Sequence, residues 1–155
     1  MSRTMNSTAR AVADLSEGLV LASVEIAASP ERVFRALTSE EITQWWVRPG
    51  VFDTRKWSAD VRVGGRWEAT GVGKDGPYGL EGEFLEIDPP QRLVHTWHPV
   101  GAPVAAMSTV TYMLEPIEGG TRITLRQSGI TSRASGLGIC LGWETSFEKL
   151  EELLR

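Results

Sequence analysis

The feature that most constrains the fold is the amphipathic pattern of the C-terminal sequence GICLGWETSFEKLEELLR. Cys140, Trp143, Phe147, Leu150 and Leu154 recur at steps of three and four, which is the spacing of one helix face. Charged and polar residues fill the opposite side. The pattern predicts a helix of about four turns. Because its apolar stripe carries two aromatic rings, the helix needs a broad apolar surface to pack against.

The rest of the chain has the pattern of strands and turns, interrupted once by two short helices. Seven strands are predicted, at residues 19–28, 56–63, 66–72, 78–87, 91–98, 105–114 and 121–127. Ser29-Pro30-Glu31 and Ser39-Glu40-Glu41 each have the composition of a helix start. This order predicts an α+β fold: a seven-stranded, curved antiparallel sheet wraps the long C-terminal helix, and two short helices follow strand 1.

Length and charge narrow the class of protein. A chain of 155 residues is long enough for one domain, and its net charge of −4 offers no basic surface for nucleic acid or for an anionic membrane. The first residues lack the apolar run of a signal peptide, so we expect a disordered tail at 1–17, a single domain at 18–155 and a cytoplasmic protein. Cys140, His95 and His98 cannot form a zinc site of familiar spacing, and we predict neither metal nor cofactor.

A cavity between sheet and helix is the expected ligand site, because a sheet wrapped on one helix seldom fills the space between them. Six tryptophans come from nearly every predicted element, and we expect two or three of them on the cavity wall. The predicted ligand-contacting residues are Trp46, Trp67, His95, Trp97, Met107, Gln127, Trp143 and Phe147.

Two of these side chains are polar. His95 shares the strand parity of Leu93 and Trp97, so it points to the same face as those apolar residues. It is either a core histidine with a hydrogen-bond partner, or a ligand-binding group or general acid/base, because the pKa of an imidazole lies near neutrality. Gln127 shares the parity of Leu125 and would supply a polar anchor that cannot transfer protons.

Several segments, taken in order, resemble a known superfamily. They are SPERVFRALTSEEITQWW, DVRVGGRWE, GEFLEIDPPQRLVHTW and GGTRITLRQSG, followed by the final helix that begins with GW. From about Leu19 to Leu154 the chain is similar to the START-like (SRPBCC) helix-grip superfamily, in the branch named for homologues of the Aha-type activator of heat-shock-protein ATPase. The resemblance implies a helix-grip fold shared with polyketide cyclases, lipid carriers and plant hormone receptors. Many relatives carry a histidine where this chain has Gln127, and the difference weakens an acid/base role at that position.

Three functions follow from these observations. The leading hypothesis is a monomer or homodimer that binds a small, mostly apolar ligand. The ligand would be aromatic, polycyclic or lipid-like, and His95 and Gln127 would orient it. The first alternative is an enzyme of the cyclase or hydrolase type that uses the same cavity and one general acid/base. The second is an interaction module that stimulates a chaperone ATPase. A chaperone partner is less favoured, because no exposed basic or apolar surface stands out in the sequence.

Overall fold

Nine strands form one antiparallel sheet in the computed structural model, which describes residues 7–48 and 50–155. In chain order they are β1 (Arg10–Asp14), β2 (Leu19–Ile26), β3 (Val47–Arg48), β4 (Phe52–Ala59), β5 (Arg66–Gly73), β6 (Gly76–Asp88), β7 (Arg92–Pro99), β8 (Ser108–Ile117) and β9 (Gly120–Ser128). Their spatial order is β1-β2-β9-β8-β7-β6-β5-β4-β3. The predicted α+β fold with a large antiparallel sheet is therefore confirmed.

The described residues also form three α-helices, α1 (Pro30–Leu37), α2 (Ile42–Trp45) and α3 (Arg133–Leu153), and a short 3-10 helix at Val104–Ala106. The predicted start of α1 is confirmed, because the Ser29 side chain accepts a hydrogen bond from the Arg32 backbone N–H and Pro30 is the first helical residue. α3 begins earlier than predicted. Its N-cap is Ser132, whose side chain accepts a hydrogen bond from the Ser135 backbone N–H.

The contacts of α3 show that the sheet is curved. Nine strands spaced about 4.8 Å apart would extend nearly 40 Å if flat, whereas a helix is only about 10 Å across. α3 nevertheless packs against β1 and β2 at one edge of the sheet and against β3 at the other. The sheet therefore wraps around α3, and α2 contacts both α3 and β4.

The apolar face predicted for the C-terminal helix is its buried face. Trp143, Phe147, Leu150 and Leu154 are buried, and Cys140 is partly buried against the same core. Strands β2, β8 and β9 supply alternate residues to this core, as expected for strands with one buried face.

The strand count of seven is too low, because β1 and β3 add two short edge strands. β1 also corrects the prediction of a disordered tail at 1–17, which is wrong for residues 10–14. β1 pairs with β2, and its Ala11 and Ala13 pack against the core. This strand depends on tertiary packing, and a segment rich in Ala has little strand propensity that would predict it. Just before β1, the Ser7 hydroxyl donates a hydrogen bond to Glu151 of α3 at 2.6 Å. Residues 1–6 of the predicted tail lie outside the described residues.

The second predicted strand also lies in a different place. β4 starts at Phe52, not Lys56, and ends at Ala59. Residues 60–65 form the turn into β5, in which Gly65 donates its backbone N–H to the Arg62 carbonyl oxygen at 2.8 Å. Because β4 begins earlier than predicted, Thr54 belongs to the sheet and pairs with Gly71 of β5.

Candidate functional site

A cavity of about 230 Å³ lies between α3 and the part of the sheet formed by β4, β6 and β7, and it is partly open to solvent. We refer to it as the site cavity. Its lining residues are Trp46, Phe52, Thr54, Tyr78, Leu80, Trp97, Gly138, Ile139, Gly142, Trp143 and Ser146. None of these side chains carries a charge at neutral pH, so the wall is apolar apart from a few hydroxyl and indole N–H groups.

α3 contributes its smallest residues to the wall. Gly138, Gly142 and Ser146 are spaced four apart and therefore share one helix face. A methyl group added at Gly142 would meet only the Phe52 ring, at 3.9 Å, and one added at Gly138 would meet nothing within 4 Å. Glycine inside a helix costs about 1 kcal/mol relative to alanine. These two positions therefore leave space open at the expense of helix stability.

Three of the six tryptophans line the site cavity: Trp46 after α2, Trp97 on β7 and Trp143 on α3. Their ring centroids are 5.1 Å apart for Trp46 and Trp97, 5.5 Å for Trp97 and Trp143, and 6.2 Å for Trp46 and Trp143. These separations are typical of tilted and edge-to-face aromatic pairs. The three rings pack against one another, so this part of the wall is expected to be rigid.

Gln127 fixes the Trp143 ring by a hydrogen bond from outside the site cavity. The indole Nε1 of Trp143 donates to Gln127 Oε1 at 2.7 Å, and Gln127 Nε2 donates to Ser108 Oγ at 2.8 Å. Gln127 is fully buried and does not line the site cavity. The predicted polar anchor therefore binds the tryptophan that forms the wall.

Trp46 lacks such a partner. Its buried Nε1 has no hydrogen-bond acceptor among the described residues. The Tyr112 hydroxyl is close to this indole. Burial raises the pKa of Tyr112, and the Trp46 N–H partly opposes that rise. The two groups nevertheless do not meet the geometry of a hydrogen bond. A buried N–H without an acceptor costs about 1–3 kcal/mol. Within the described residues, the tryptophan cluster therefore contains one buried N–H group, that of Trp46, without a hydrogen bond.

A hydroxyl pair forms the main polar feature of the sheet side. Thr54 Oγ1 and Tyr78 Oη are 2.6 Å apart, and either oxygen can be the donor. They come from β4 and β6, on either side of β5, where Gly71 pairs with both Thr54 and Tyr78. A side chain at Gly71 would collide with the Asp53 carbonyl group, so glycine lets the β4 backbone approach β5 closely at this point. Burial raises the pKa of Tyr78, so its hydroxyl stays protonated at neutral pH.

His95 lies in the core and not on the cavity wall. Its ring centroid is 5.0 Å from that of Trp67, 5.9 Å from Tyr112 and 6.1 Å from Phe84. Nδ1 is 2.9 Å from the Thr96 carbonyl oxygen, which can only accept, so Nδ1 carries the proton and donates it. Burial lowers the pKa of His95 to about 4, because the apolar surroundings disfavour a charged ring. At neutral pH His95 is therefore uncharged.

The other predicted site residues lie elsewhere. Trp67 and Phe147 are buried beneath the wall, and Met107 is 43% exposed. The Trp67 indole donates a hydrogen bond to the Thr96 carbonyl oxygen at 3.2 Å. Its ring packs on Gly82, and a side chain at position 82 would collide with it. Of the eight predicted residues, the structure brings Trp46, Trp97 and Trp143 together at the site cavity, and the other five do not line it.

Eight residues that were not predicted from the sequence also line the site cavity: Phe52, Thr54, Tyr78, Leu80, Gly138, Ile139, Gly142 and Ser146. The residues on α3 could have been found from the sequence, because its glycines are four apart and flank the predicted core positions of the helix. The strand residues could not, because their meeting depends on the pairing of β4, β5 and β6. In the described part of the chain, no three His, Cys, Asp or Glu side chains are grouped as a metal site requires.

The comparison with known families agrees with this architecture. The family described as Activator of Hsp90 ATPase homolog 1-like protein has a model that matches residues 27–155. The chain belongs to this family. The fold of this Aha1-like protein is known for ligand binding, and polyketide cyclase-like proteins share it. Among curated proteins, none matches the chain significantly.

Solved structures similar to this Aha1-like protein share its fold over nearly the whole chain. Protein Ms6760 from Mycobacterium smegmatis has a TM-score of 0.81 and 21% identity, over 96% of this chain and 97% of that one. Protein NE0264 from Nitrosomonas europaea has a TM-score of 0.76 and 28% identity, over 90% and 95%. Protein MLL2253 from Mesorhizobium loti has a TM-score of 0.69 and 30% identity, over 88% and 96%. Within the described residues, no helix is long and apolar enough to cross a membrane.

Proposed function

We propose that this Aha1-like protein binds a small, mostly apolar ligand in the site cavity. The observation that carries the proposal is an uncharged cavity of about 230 Å³ whose helix wall contains Gly138 and Gly142. Small-molecule sites are concave and mostly apolar, with a few polar groups that orient the ligand. A helix that served packing alone would be more stable with alanine at both positions. Aromatic or lipid-like compounds suit this wall, and a cytoplasmic location stays a prediction.

Binding without turnover is favoured over catalysis. A general acid/base works best when its pKa lies near the working pH. Tyr78 is the one ionisable side chain among the lining residues, and burial raises its pKa. His95, the candidate from the sequence, has a pKa lowered to about 4 and lies behind the wall. The cavity therefore offers no group suited to proton transfer at neutral pH.

A cavity-filling substitution tests the proposal. Gly142→Leu places a side chain into the site cavity, and Glu152→Leu adds the same side chain at an exposed position of α3. Calorimetric titration with 2-ethylnaphthalene and 2-acetylnaphthalene would measure binding to both variants and to the wild type, after circular dichroism has established folding. We expect wild-type affinity for Glu152→Leu and a loss of about tenfold or more for Gly142→Leu, because an overfilled site excludes the ligand.

Two results would refute the proposal. If Gly142→Leu binds both compounds as well as the wild type does, the ligand does not occupy the site cavity. If the wild type binds neither compound, the cavity does not take a small apolar ligand of this size.

A further inference from the structure

We infer that the ligand is an uncharged, planar compound of one or two rings whose carbonyl oxygen accepts a hydrogen bond from the Thr54–Tyr78 hydroxyl pair. This inference rests on the proposed function and narrows it. Three properties of the site cavity carry it: an unused hydroxyl hydrogen, the lack of charge on the wall, and the size and shape of the space.

The hydroxyl pair has one hydrogen more than it uses. Two hydroxyls 2.6 Å apart share one hydrogen bond, whichever of them donates, so the hydrogen of the accepting hydroxyl is left free. Within residues 7–48 and 50–155, neither Thr54 Oγ1 nor Tyr78 Oη makes a second hydrogen bond. Thr54 is buried, whereas Tyr78 is half-buried and faces a cavity that is partly open to solvent, so a water molecule can accept this hydrogen until a ligand replaces it. A ligand oxygen in the site cavity is the acceptor that would complete the pair.

The charges around the wall exclude an ionised ligand. No lining residue carries a charge that could compensate a carboxylate or an ammonium group. Asp53 acts on the hydroxyl pair from outside, and its negative charge helps to raise the pKa of Tyr78. Asp53 is itself paired with Arg55 at 2.9 Å, so the guanidinium is already engaged. Because an uncompensated charge in an apolar site is strongly unfavourable, the ligand oxygen is a neutral acceptor, as a carbonyl oxygen is, and not the carboxylate of a fatty acid.

The space fits a small flat molecule. An apolar cavity of about 150 Å³ holds benzene, so about 230 Å³ accommodates one or two rings and is too small for a steroid-sized polycycle. On one side the ligand would lie against the helix at Gly138 and Gly142, where no side chain projects. On the other side it would meet the rings of Trp46 and Trp97. A slot between the two glycines of α3 and aromatic rings favours planar, aromatic compounds.

Ser146 is the competing hydroxyl donor, because it also lines the site cavity. A serine inside a helix can donate to the carbonyl oxygen four residues earlier, but no such bond from Ser146 to Gly142 is present within the described residues. We assign ligand recognition to the Thr54–Tyr78 pair, because its two oxygens are held 2.6 Å apart and one hydrogen must point away from the pair. The test therefore includes Ser146→Ala, which separates the two donors.

The test compares three compounds of one shape: 2-acetylnaphthalene, 2-ethylnaphthalene, which replaces the carbonyl by a methylene, and 2-naphthoate, which carries a charge. Calorimetric affinities would be measured for the wild type and for Tyr78→Phe, Thr54→Val/Tyr78→Phe, Ser146→Ala and Tyr112→Phe. Tyr112→Phe is the matched control, since this second tyrosine does not line the site cavity. The quantity compared is the ratio of ketone to hydrocarbon affinity, which cancels differences in hydrophobicity and in stability between the variants.

We expect this ratio to be about 3- to 10-fold lower in Thr54→Val/Tyr78→Phe than in the wild type, the range given by one neutral hydrogen bond. Tyr78→Phe alone should lower it less, because the Thr54 hydroxyl is then free to donate. Ser146→Ala and Tyr112→Phe should leave it unchanged, and 2-naphthoate should bind the wild type at least about tenfold more weakly than the ketone.

Each opposite outcome overturns a defined part of the inference. An unchanged ratio in the double variant, or a ratio lowered by Ser146→Ala, would refute recognition by the Thr54–Tyr78 pair. Equal affinity for 2-naphthoate and the ketone would refute a neutral ligand. In all of these cases the hydrocarbon still binds, so the proposed function stands. If no compound binds the wild type, the proposed function itself fails.

Discussion

Replacing His95 by phenylalanine should remove an acid sensitivity that this residue gives the fold. The pKa of an imidazole is about 6.5 in an unfolded chain, and burial lowers the pKa of His95 to about 4 in the folded protein. Between these two values the unfolded chain binds a proton that the folded protein does not bind. The stability present above pH 6.5 is therefore lost as the pH falls toward 4. Over this interval the loss due to His95 is about 3 kcal/mol.

Urea denaturation of the wild type and of His95→Phe at several values between pH 7.5 and pH 4 would measure this loss. Phenylalanine suits the site, because Trp67, Phe84 and Tyr112 already surround the imidazole with rings. The difference in unfolding free energy between the two proteins cancels the contribution of the carboxylates, which both share. We expect the wild type to lose about 3 kcal/mol relative to the variant over this range. A constant difference would mean that folded His95 accepts a proton as readily as the unfolded chain, and would refute the burial argument.

Three further predictions concern stability. Trp143→Ala should lower the unfolding free energy by more than about 3 kcal/mol, because it empties a buried aromatic site, whereas Glu152→Ala on the exposed side of α3 should change it by less than about 0.5 kcal/mol; similar denaturant midpoints for the two would show that the helix faces are misassigned. Gly138→Ala should raise the unfolding free energy by about 0.5–1 kcal/mol, since the new methyl group meets nothing within 4 Å; a lower melting temperature would contradict this. Gln127→Leu should cost about 1–3 kcal/mol, because Trp143 and Ser108 both lose a buried hydrogen bond, and wild-type stability in this variant would show that neither bond matters.

The sequence predicts the fold well because the fold depends on local periodicity. The three-and-four spacing of α3 identifies Trp143, Phe147 and Leu150 as core residues, and all three are buried. The capping serine and the proline of α1 likewise act within one turn of the chain. Signals of this kind are complete within a few residues, so they can be interpreted without knowing what lies opposite.

The cavity is harder to predict because it depends on pairings between distant strands. The parity of His95 correctly gives its face of the sheet, but on a curved sheet one face includes both the core under α3 and the cavity wall. Thr54 and Tyr78 come together because both are paired with the same residue, Gly71, of the intervening strand β5. Nothing in the local sequence sets that register, so the hydroxyl pair could not be predicted from the sequence.

The position of α3 after every strand has a consequence for folding. The pairing between β2 and β9 joins the two ends of the chain, with Leu19 opposite Ser128, so the sheet cannot be completed until most of the chain has been synthesised. α3 comes later still, and until it docks the inner face of the sheet exposes Trp67, Trp97 and their apolar neighbours. Long-range closure of this kind slows folding, and exposed apolar strands promote aggregation. The protein should therefore be most prone to aggregate in the interval between sheet formation and helix docking, and refolding yield should fall steeply as protein concentration rises.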